Sequence, residues 1–297
     1  MPELPDVVVY LEALAPRVIG QPVERVRLGN PFVVRTIAPP PAELEGREVT
    51  ELRRMGKRIV FVFDQVYMVI HLMIAGRLRW RDRGAALPGK AGLAAFDFPT
   101  GTLLFTEAGS KRQASIHIVD TSQALADFDR GGLEVLGADL PTFAERLTRA
   151  NHTLKRALTD PTIFSGIGNA YSDEILHAAK LSPLKQTRQL TDTEIARLHA
   201  AAIATLQYWI TRTREEVGEG FPEKVTAFRD GMAAHGRYGK PCPVCGSPIQ
   251  RIVYATNECN YCATCQTDGR LLSDRALSRL LREDWPRTLE ELEKRRS

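Results

Sequence analysis

Two places in this sequence hold residue types that can do chemistry. The first is its opening. Removal of Met1, which a small second residue favours, leaves Pro2 as a secondary amine with the carboxylic acid Glu3 beside it. A secondary amine can attack an aldehyde-like sugar carbon and form an iminium, which is covalent catalysis by an amine. A free α-amine titrates near ~8, so part of it is uncharged at neutral pH. Glu3 can supply the general acid. Taken alone, Pro-Glu is equally a plain polar start. The second place is a cysteine group: Cys242, Cys245, Cys259, Cys262 and Cys265 lie in one short stretch and none lies elsewhere. Cys242-x2-Cys245 and Cys262-x2-Cys265 are separated by 16 residues. Each pair fits a tight turn that presents two thiolates to one ion, and two such turns complete a tetrahedral Zn2+ site. Four sulfurs close the coordination sphere, so the expected ion is structural. Cys259 is left over, as a buried spectator or an alternative ligand.

Weaker signals lie between these two. Ser165-Gly166-Ile167-Gly168-Asn169 joins two helical segments. Its glycines allow a tight turn, and amides opening the next helix can face an anion such as phosphate. Lys57 stands in the basic run Arg53-Arg54-Met55-Gly56-Lys57-Arg58, which also reads as a solvated turn. His71-Leu72-Met73-Ile74-Ala75-Gly76 ends a strand with an apolar tip of the kind that wedges between bases, or that simply joins a core. Lys111, Arg112 and Gln113 sit on a polar loop between two strands.

These residues need elements to position them. The chain has 297 residues, 43% hydrophobic and 26% charged, which is ordinary for a globular protein with one large core or two modest ones. No apolar run reaches membrane-spanning length. Glu3 and Asp6 near the start do not suit a secretory signal, so a cytoplasmic protein is expected. The net charge of +4 permits a polyanionic partner without requiring one. Residues 1–130 read as an opening helix over Val7–Leu14, ending near Pro16, followed by short strands at Val23–Leu28, Ile59–Phe63, Met68–Leu72, Leu103–Phe105 and Ile116–Val119. Such a series suits a sandwich or a barrel. Gly131-Gly132 and Gly137 mark a hinge. Helical patterns follow at Pro141–Ala150, His152–Thr159 and Asp173–Lys180. Thr191 and Glu194 then form a capping box before a long helix. Residues 217–240 read as a loop, 274–283 as a basic helix-like stretch, and Glu290–Ser297 as a charged tail.

Together these residues resemble the formamidopyrimidine-DNA glycosylase and endonuclease VIII family of bifunctional repair enzymes. The likeness runs through Pro2-Glu3-Leu4-Pro5-Asp6-Val7, Lys57, His71–Gly76, Lys155, Gly166-Ile167-Gly168-Asn169-Ala170-Tyr171-Ser172-Asp173-Glu174 and Gly236-Arg237-Tyr238-Gly239-Lys240-Pro241-Cys242. It ends in the four-cysteine finger and favours the glycosylase branch. The resemblance implies an α+β multidomain fold. An N-terminal catalytic β-sandwich with an opening helix would span 1–135, a helix–two-turn–helix DNA-binding domain 136–235, and a zinc β-hairpin finger with a C-terminal tail 236–297. It implies double-stranded DNA with damaged bases or abasic sites as partner, held in a cleft between two lobes by a monomer. The flipped nucleotide is attacked at C1′ by Pro2, Glu3 assists ring opening, and β,δ-elimination follows. Lys57 and Asn169 would hold phosphates, Lys155 would support the cleft electrostatically, and Glu174 would orient the N-terminal segment.

The sequence departs from that family in the parts that recognise lesions. Ile74 stands where relatives often place Met. The Arg–Phe pair of the next loop is missing from Glu107-Ala108-Gly109-Ser110-Lys111-Arg112-Gln113-Ala114, which leaves Arg112 to probe the orphan base. Asn257 replaces a finger Arg that clamps phosphate, with Arg251 or Arg270 as the candidates to compensate. Oxidised purines are the favoured substrate by resemblance. Oxidised pyrimidines, or damaged DNA bound without excision, are the alternatives.

Overall fold

The computed structural model describes residues 1–109, 111–223, 225–254, 257–273 and 286–294. It divides into two compact units. The first is Met1–Gly131 with Tyr208–Ala227, and the second is Gly132–Gln207 with Phe228–Ser297.

The first unit opens with helix α1, Leu4–Val18. Pro5 suits its first turn, because an amide there has no helical partner. The Glu3 amide donates to Asp6 Oδ2 at 2.8 Å and so gains a partner at the helix start. Val7, Tyr10, Leu14 and Val18 recur every three or four residues and form the buried stripe. Two four-stranded antiparallel sheets follow. One has the order β1-β6-β7-β5, from β1 (Arg25–Leu28), β6 (Gly92–Phe98), β7 (Gly101–Glu107) and β5 (Gly76–Arg81). The other has the order β2-β3-β4-β8, from β2 (Glu51–Met55), β3 (Arg58–Phe63), β4 (Val66–His71) and β8 (Ser115–Val119). The expected choice between sandwich and barrel thus resolves as two sheets, the β-sandwich.

Strand β3 shows why the sequence folds this way. Ile59, Phe61 and Phe63 face the main core, together with α1 and both sheets. Val60 and Val62 face a second cluster with Val69, Val119 and Leu125, the last from helix α2 (Ser122–Ala126). A strand buried on both faces reads as an unbroken apolar run rather than an alternation. The C-terminal part of the long helix α6 (Asp192–Val217) belongs to this unit, where Arg214 pairs with Glu12 of α1 at 2.6 Å.

The second unit carries α3 (Leu140–Thr148), α4 (Leu154–Thr159), α5 (Asn169–Ala178) and the start of α6. Asp139 caps α3 and Thr153 caps α4. The capping box opening α6 is reciprocal: Thr191 N donates to Glu194 Oε2 at 3.0 Å, and Glu194 N to Thr191 Oγ1 at 3.2 Å. The turn before α5 needs a left-handed residue, and Gly166 supplies it with φ of +78°.

A hairpin of β9 (Ile249–Tyr254) and β10 (Asn257–Cys262) and the short helix α7 (Ala263–Thr267) complete the unit. The tail is more than a charged extension. Leu289 and Leu292, on a closing helix Leu289–Lys294, pack against Ile252, Tyr261, Ala263 and Leu271. The basic stretch expected over 274–283 lies outside the described residues. No helix among the described residues is long and apolar enough to cross a membrane.

Candidate active site and zinc module

In the first unit the opening residues are held tightly. Pro2 is buried, and Glu3 and Asp6 are each 2% exposed. Burial lowers the terminal amine of Met1 below its ordinary value. Glu3 and Asp6 oppose that shift, while Arg77 and Lys57 add to it. The same four side chains therefore govern the field at the start of α1. Lys57 reaches this region from the β2–β3 turn, where Gly56 takes φ of +61°. Arg77 was not anticipated. The only signal for it is its place just after the His71–Gly76 turn.

That turn is tightly built. Arg77 Nη1 donates to the carbonyls of Ile74 at 3.1 Å and Gly76 at 2.7 Å. A Cβ on Gly76 would lie 2.2 Å from the Leu72 carbonyl oxygen, so only glycine fits. The turn leaves Ile74 64% exposed, an apolar tip on a rigid base. His71, at the end of β4, is pushed down to about 4, first by burial and then by Arg58, Lys57 and His117. It is neutral at pH 7 and adds no charge beside Lys57.

On the next loop, the buried carboxylate of Glu107 accepts the amides of Gln113 at 3.0 Å and Ala114 at 3.2 Å. Ser110 lies outside the described residues. Arg112 is exposed, and its guanidinium donates to the Lys90 carbonyl.

In the second unit, one helix gathers the polar residues. Lys155 Nζ on α4 donates to Asn169 O at 2.7 Å, Ser172 Oγ at 2.8 Å and Asp173 Oδ1 at 2.5 Å. Its charge is thus met inside the protein, and it braces the start of α5. Asp173 is fully buried and also accepts His235 Nδ1 at 2.8 Å and Asn260 N at 3.1 Å. Asn169 Nδ2 donates to the Glu258 carbonyl at 2.9 Å, so α5 is docked on β10.

Glu174 accepts the amides of Ala233, Ala234 and His235 at 2.7–2.9 Å. Burial raises its carboxyl against the pull of those three donors. Within this unit it fixes residues 233–235, a partner that sequence reasoning missed.

On the hairpin, Arg251 stacks over Tyr238 at 4.3 Å and meets Glu258 at 3.4 Å. Arg270 is exposed next to α7. Asn257 opens β10 opposite Tyr254, and its side chain lies outside what is described.

The cysteines test the zinc expectation directly. The sulfurs of Cys242, Cys245, Cys262 and Cys265 all lie within 4.8 Å of one another. The Cys242–Cys265 and Cys245–Cys262 separations are 3.9 and 3.4 Å. Four thiolates about 2.3 Å from one zinc ion stand about 3.8 Å apart, so the set fits Zn2+. The amides of Val244 and Cys265 donate to Cys242 and Cys262 sulfurs at 3.4 Å, the turn geometry of a zinc knuckle. Cys259 is buried outside the cluster, and burial with the Asp173 charge holds its thiol well above the ordinary range. It remains a thiol beside Asp173, apart from the four-sulfur set. The four sulfurs would hold one structural zinc ion.

Comparison with known proteins agrees with this geometry. Residues 1–114 match the formamidopyrimidine-DNA glycosylase N-terminal domain, 136–218 its H2TH domain, and 239–267 the zinc finger found in FPG and IleRS. An uncharacterized formamidopyrimidine-DNA glycosylase-like protein of Mycobacterium tuberculosis is 38% identical over 51% of this chain and 94% of its own length. The formamidopyrimidine-DNA glycosylase of Symbiobacterium thermophilum is 30% identical over 93% of each chain. Among solved structures, Lactococcus lactis Fpg in complex with DNA containing an abasic site superposes with a TM-score of 0.79 at 28% identity, covering 89% of this chain and 99% of that one. MutM in complex with DNA containing carbocyclic 8-oxo-G gives 0.79 at 28%, covering 90% and 100%. The buried Pro-Glu opening, the helix-borne Asn169 and the four-sulfur module thus occur in a chain that belongs to the formamidopyrimidine-DNA glycosylase family of base-excision repair, a family of DNA glycosylases with AP lyase activity.

Proposed function

We propose that this chain removes oxidised bases from double-stranded DNA and cleaves the resulting abasic site through a Pro2 iminium, with purines favoured. The observation that carries the reading is the environment of the N-terminus. Pro2 is buried at the head of α1, with Glu3 and Asp6 beside it and the Lys57 and Arg77 charges within reach. Burial, Arg77 and Lys57 lower the Met1 amine against the pull of Glu3 and Asp6, and the Pro2 amine exposed by loss of Met1 would face the same groups; a neutral amine is the nucleophile.

The chemistry runs as follows. The damaged nucleotide leaves the stack. The neutral Pro2 nitrogen forms a bond to C1′ as the glycosidic bond breaks, and the proton the nitrogen then sheds leaves with the base. Glu3 protonates the ring oxygen as the sugar opens to the iminium. That cation acidifies the C2′ proton, so loss of this proton expels the 3′-phosphate. A second elimination expels the 5′-phosphate, and water then releases the sugar remnant from Pro2. Lys57 anchors a phosphate beside the reacting sugar. Ile74 fills the space of the extruded base, and Arg112 meets the orphaned partner.

Asn169, Lys155, Arg251 and Arg270 serve the DNA backbone. Lys155 does so by bracing Asn169, since its ammonium already faces Asp173. Arg251, on β9 of the hairpin, or Arg270 takes the place of the Arg missing at Asn257. The working modules are 1–135, 136–235 and 236–297, in a cytoplasmic, nucleoid-associated monomer.

Oxidised pyrimidines are the second reading, since Lactococcus lactis FPG has been solved with DNA containing an oxidised pyrimidine. The test is a set of duplexes carrying 8-oxoguanine, a formamidopyrimidine or thymine glycol, each incubated with borohydride. Excision with covalent trapping on the purine lesions is expected. Trapping confined to thymine glycol would move the substrate to pyrimidines. Tight binding without excision or trapping would reject the enzyme reading.

A further inference from the structure

Helix α5 carries a polar side chain at every fourth position, Asn169, Asp173 and His177, and each is bonded to the cysteine-bearing segment. Spacing by four places them on one face. Asn169 and Asp173 reach backbone groups of β10. His177 reaches the metal cluster itself. Its Nε2 lies 3.2 Å from Cys242 Sγ, and the ring is only 5% exposed. Cys242 also receives the Val244 amide.

His177 does not belong to the four-sulfur group. A thiolate bound to zinc carries charge that a donor can share. A ring N–H aimed at that sulfur fixes its direction and lowers its tendency to take up a proton. Nothing in the spacing of the cysteines requires such a residue.

We infer that His177 is a positioning residue of the zinc site, donating its Nε2 hydrogen to the Cys242 thiolate and thereby fastening the metal module to α5. The inference rests on the zinc module and is independent of the proposed substrate. Removing a partner that orients a ligand lowers metal affinity by about 10- to 100-fold in comparable sites.

The experiment uses the full chain. Zinc affinity is measured by competition with a chromophoric chelator for the wild type, His177→Phe and His177→Gln. The cobalt-substituted proteins are then compared by their sulfur-to-metal charge-transfer bands. Phenylalanine keeps a ring without a donor, and glutamine restores an N–H. The expected result is zinc affinity lowered at least about 10-fold in His177→Phe, with a shifted charge-transfer band and substantial recovery in His177→Gln. Affinity unchanged in His177→Phe, or glutamine no better than phenylalanine, overturns the role and leaves His177 as packing. A measurement on the wild type removes any dependence on variant folding. With an NMR-active cadmium isotope in the site, the His177 Nε2 proton should couple to the metal through the sulfur. A ring found unprotonated at Nε2, or bound directly to the metal, overturns the inference.

Discussion

Asp173→Asn is the sharpest single perturbation of the second unit. The carboxylate is fully buried and accepts from three elements at once: Lys155 of α4 at 2.5 Å, His235 at 2.8 Å and the Asn260 amide of β10 at 3.1 Å. Asparagine keeps the volume but loses the charge, and it turns one acceptor into a donor. The Lys155 ammonium, with its side chain 13% exposed, would keep Asn169 O and Ser172 Oγ but no counter-charge. Removing one partner of a buried pair costs about 3–5 kcal/mol, because the remaining charge stays uncompensated. The three bonds share one carboxylate, so their separate values are not added to this figure. At about 2–4 °C per kcal/mol for a domain of this size, the expected fall in Tm is roughly 6–20 °C.

Calorimetry, with hydrogen exchange across α5, reads the effect. Exchange should quicken in α5 and β10, which the network joins. The double variant Lys155→Met with Asp173→Leu should be less destabilised than the two single changes added together, since neither charge then remains buried. A Tm within about 3 °C of wild type for Asp173→Asn would refute the reasoning, because it would mean that Lys155 needs no buried counter-charge.

Three further outcomes follow from the first unit. Glu3→Gln should fold normally and lose roughly 10²–10⁴-fold in base excision, read by single-turnover assay; undiminished excision would remove Glu3 from the mechanism. Ile74→Ala should leave Tm almost unchanged, since the side chain is 64% exposed, yet slow excision from duplexes; equal rates would assign the turn a purely structural role. His71 titrates at about 4 when folded and near ~6.5 when unfolded, so the unfolded chain binds the extra proton between those values. Stability should therefore fall as pH drops from 6.5 towards 4, by up to about 3 kcal/mol. His71→Phe should flatten that acid limb in urea titrations, and an unchanged slope would contradict the buried, neutral imidazole.

The parts legible in the sequence are those encoded by local spacing. The four zinc ligands follow from two Cys-x2-Cys turns, and their sulfurs do converge. The start of α6 follows from Thr191 and Glu194, which exchange both bonds. Strands β3, β4, β7 and β8 announce themselves as apolar or β-branched runs. Three other strands hid. Strand β2 is a half-exposed edge of charged residues, Glu51-Leu52-Arg53-Arg54-Met55. Strand β5 places arginines at 77, 79 and 81, which mask the inward Leu78 and Trp80. Strand β6 is fully buried but built on Gly92 and two alanines, residues with little strand preference of their own.

The polar network of the second unit was hidden for a different reason. Glu174 bonds residues about sixty positions away, and Asp173 joins three separate segments. No local pattern encodes such pairings. The stripe at 169, 173 and 177 was the one available hint, visible only once α5 is known to be a helix. Lys155, which the resemblance has supporting the cleft electrostatically, directs its ammonium to Asn169, Ser172 and Asp173, contacts that no local pattern announces.

The central claim is that the Pro2 nitrogen captures the sugar. The most direct measurement is peptide mass spectrometry of the full chain after borohydride trapping on abasic-site DNA and digestion of both partners. A reduced deoxyribose remnant is expected on the nitrogen of Pro2, and none on that nitrogen when an extra N-terminal residue converts it to an amide. A remnant found instead on Lys57, or trapping that survives the blocked terminus, would contradict it.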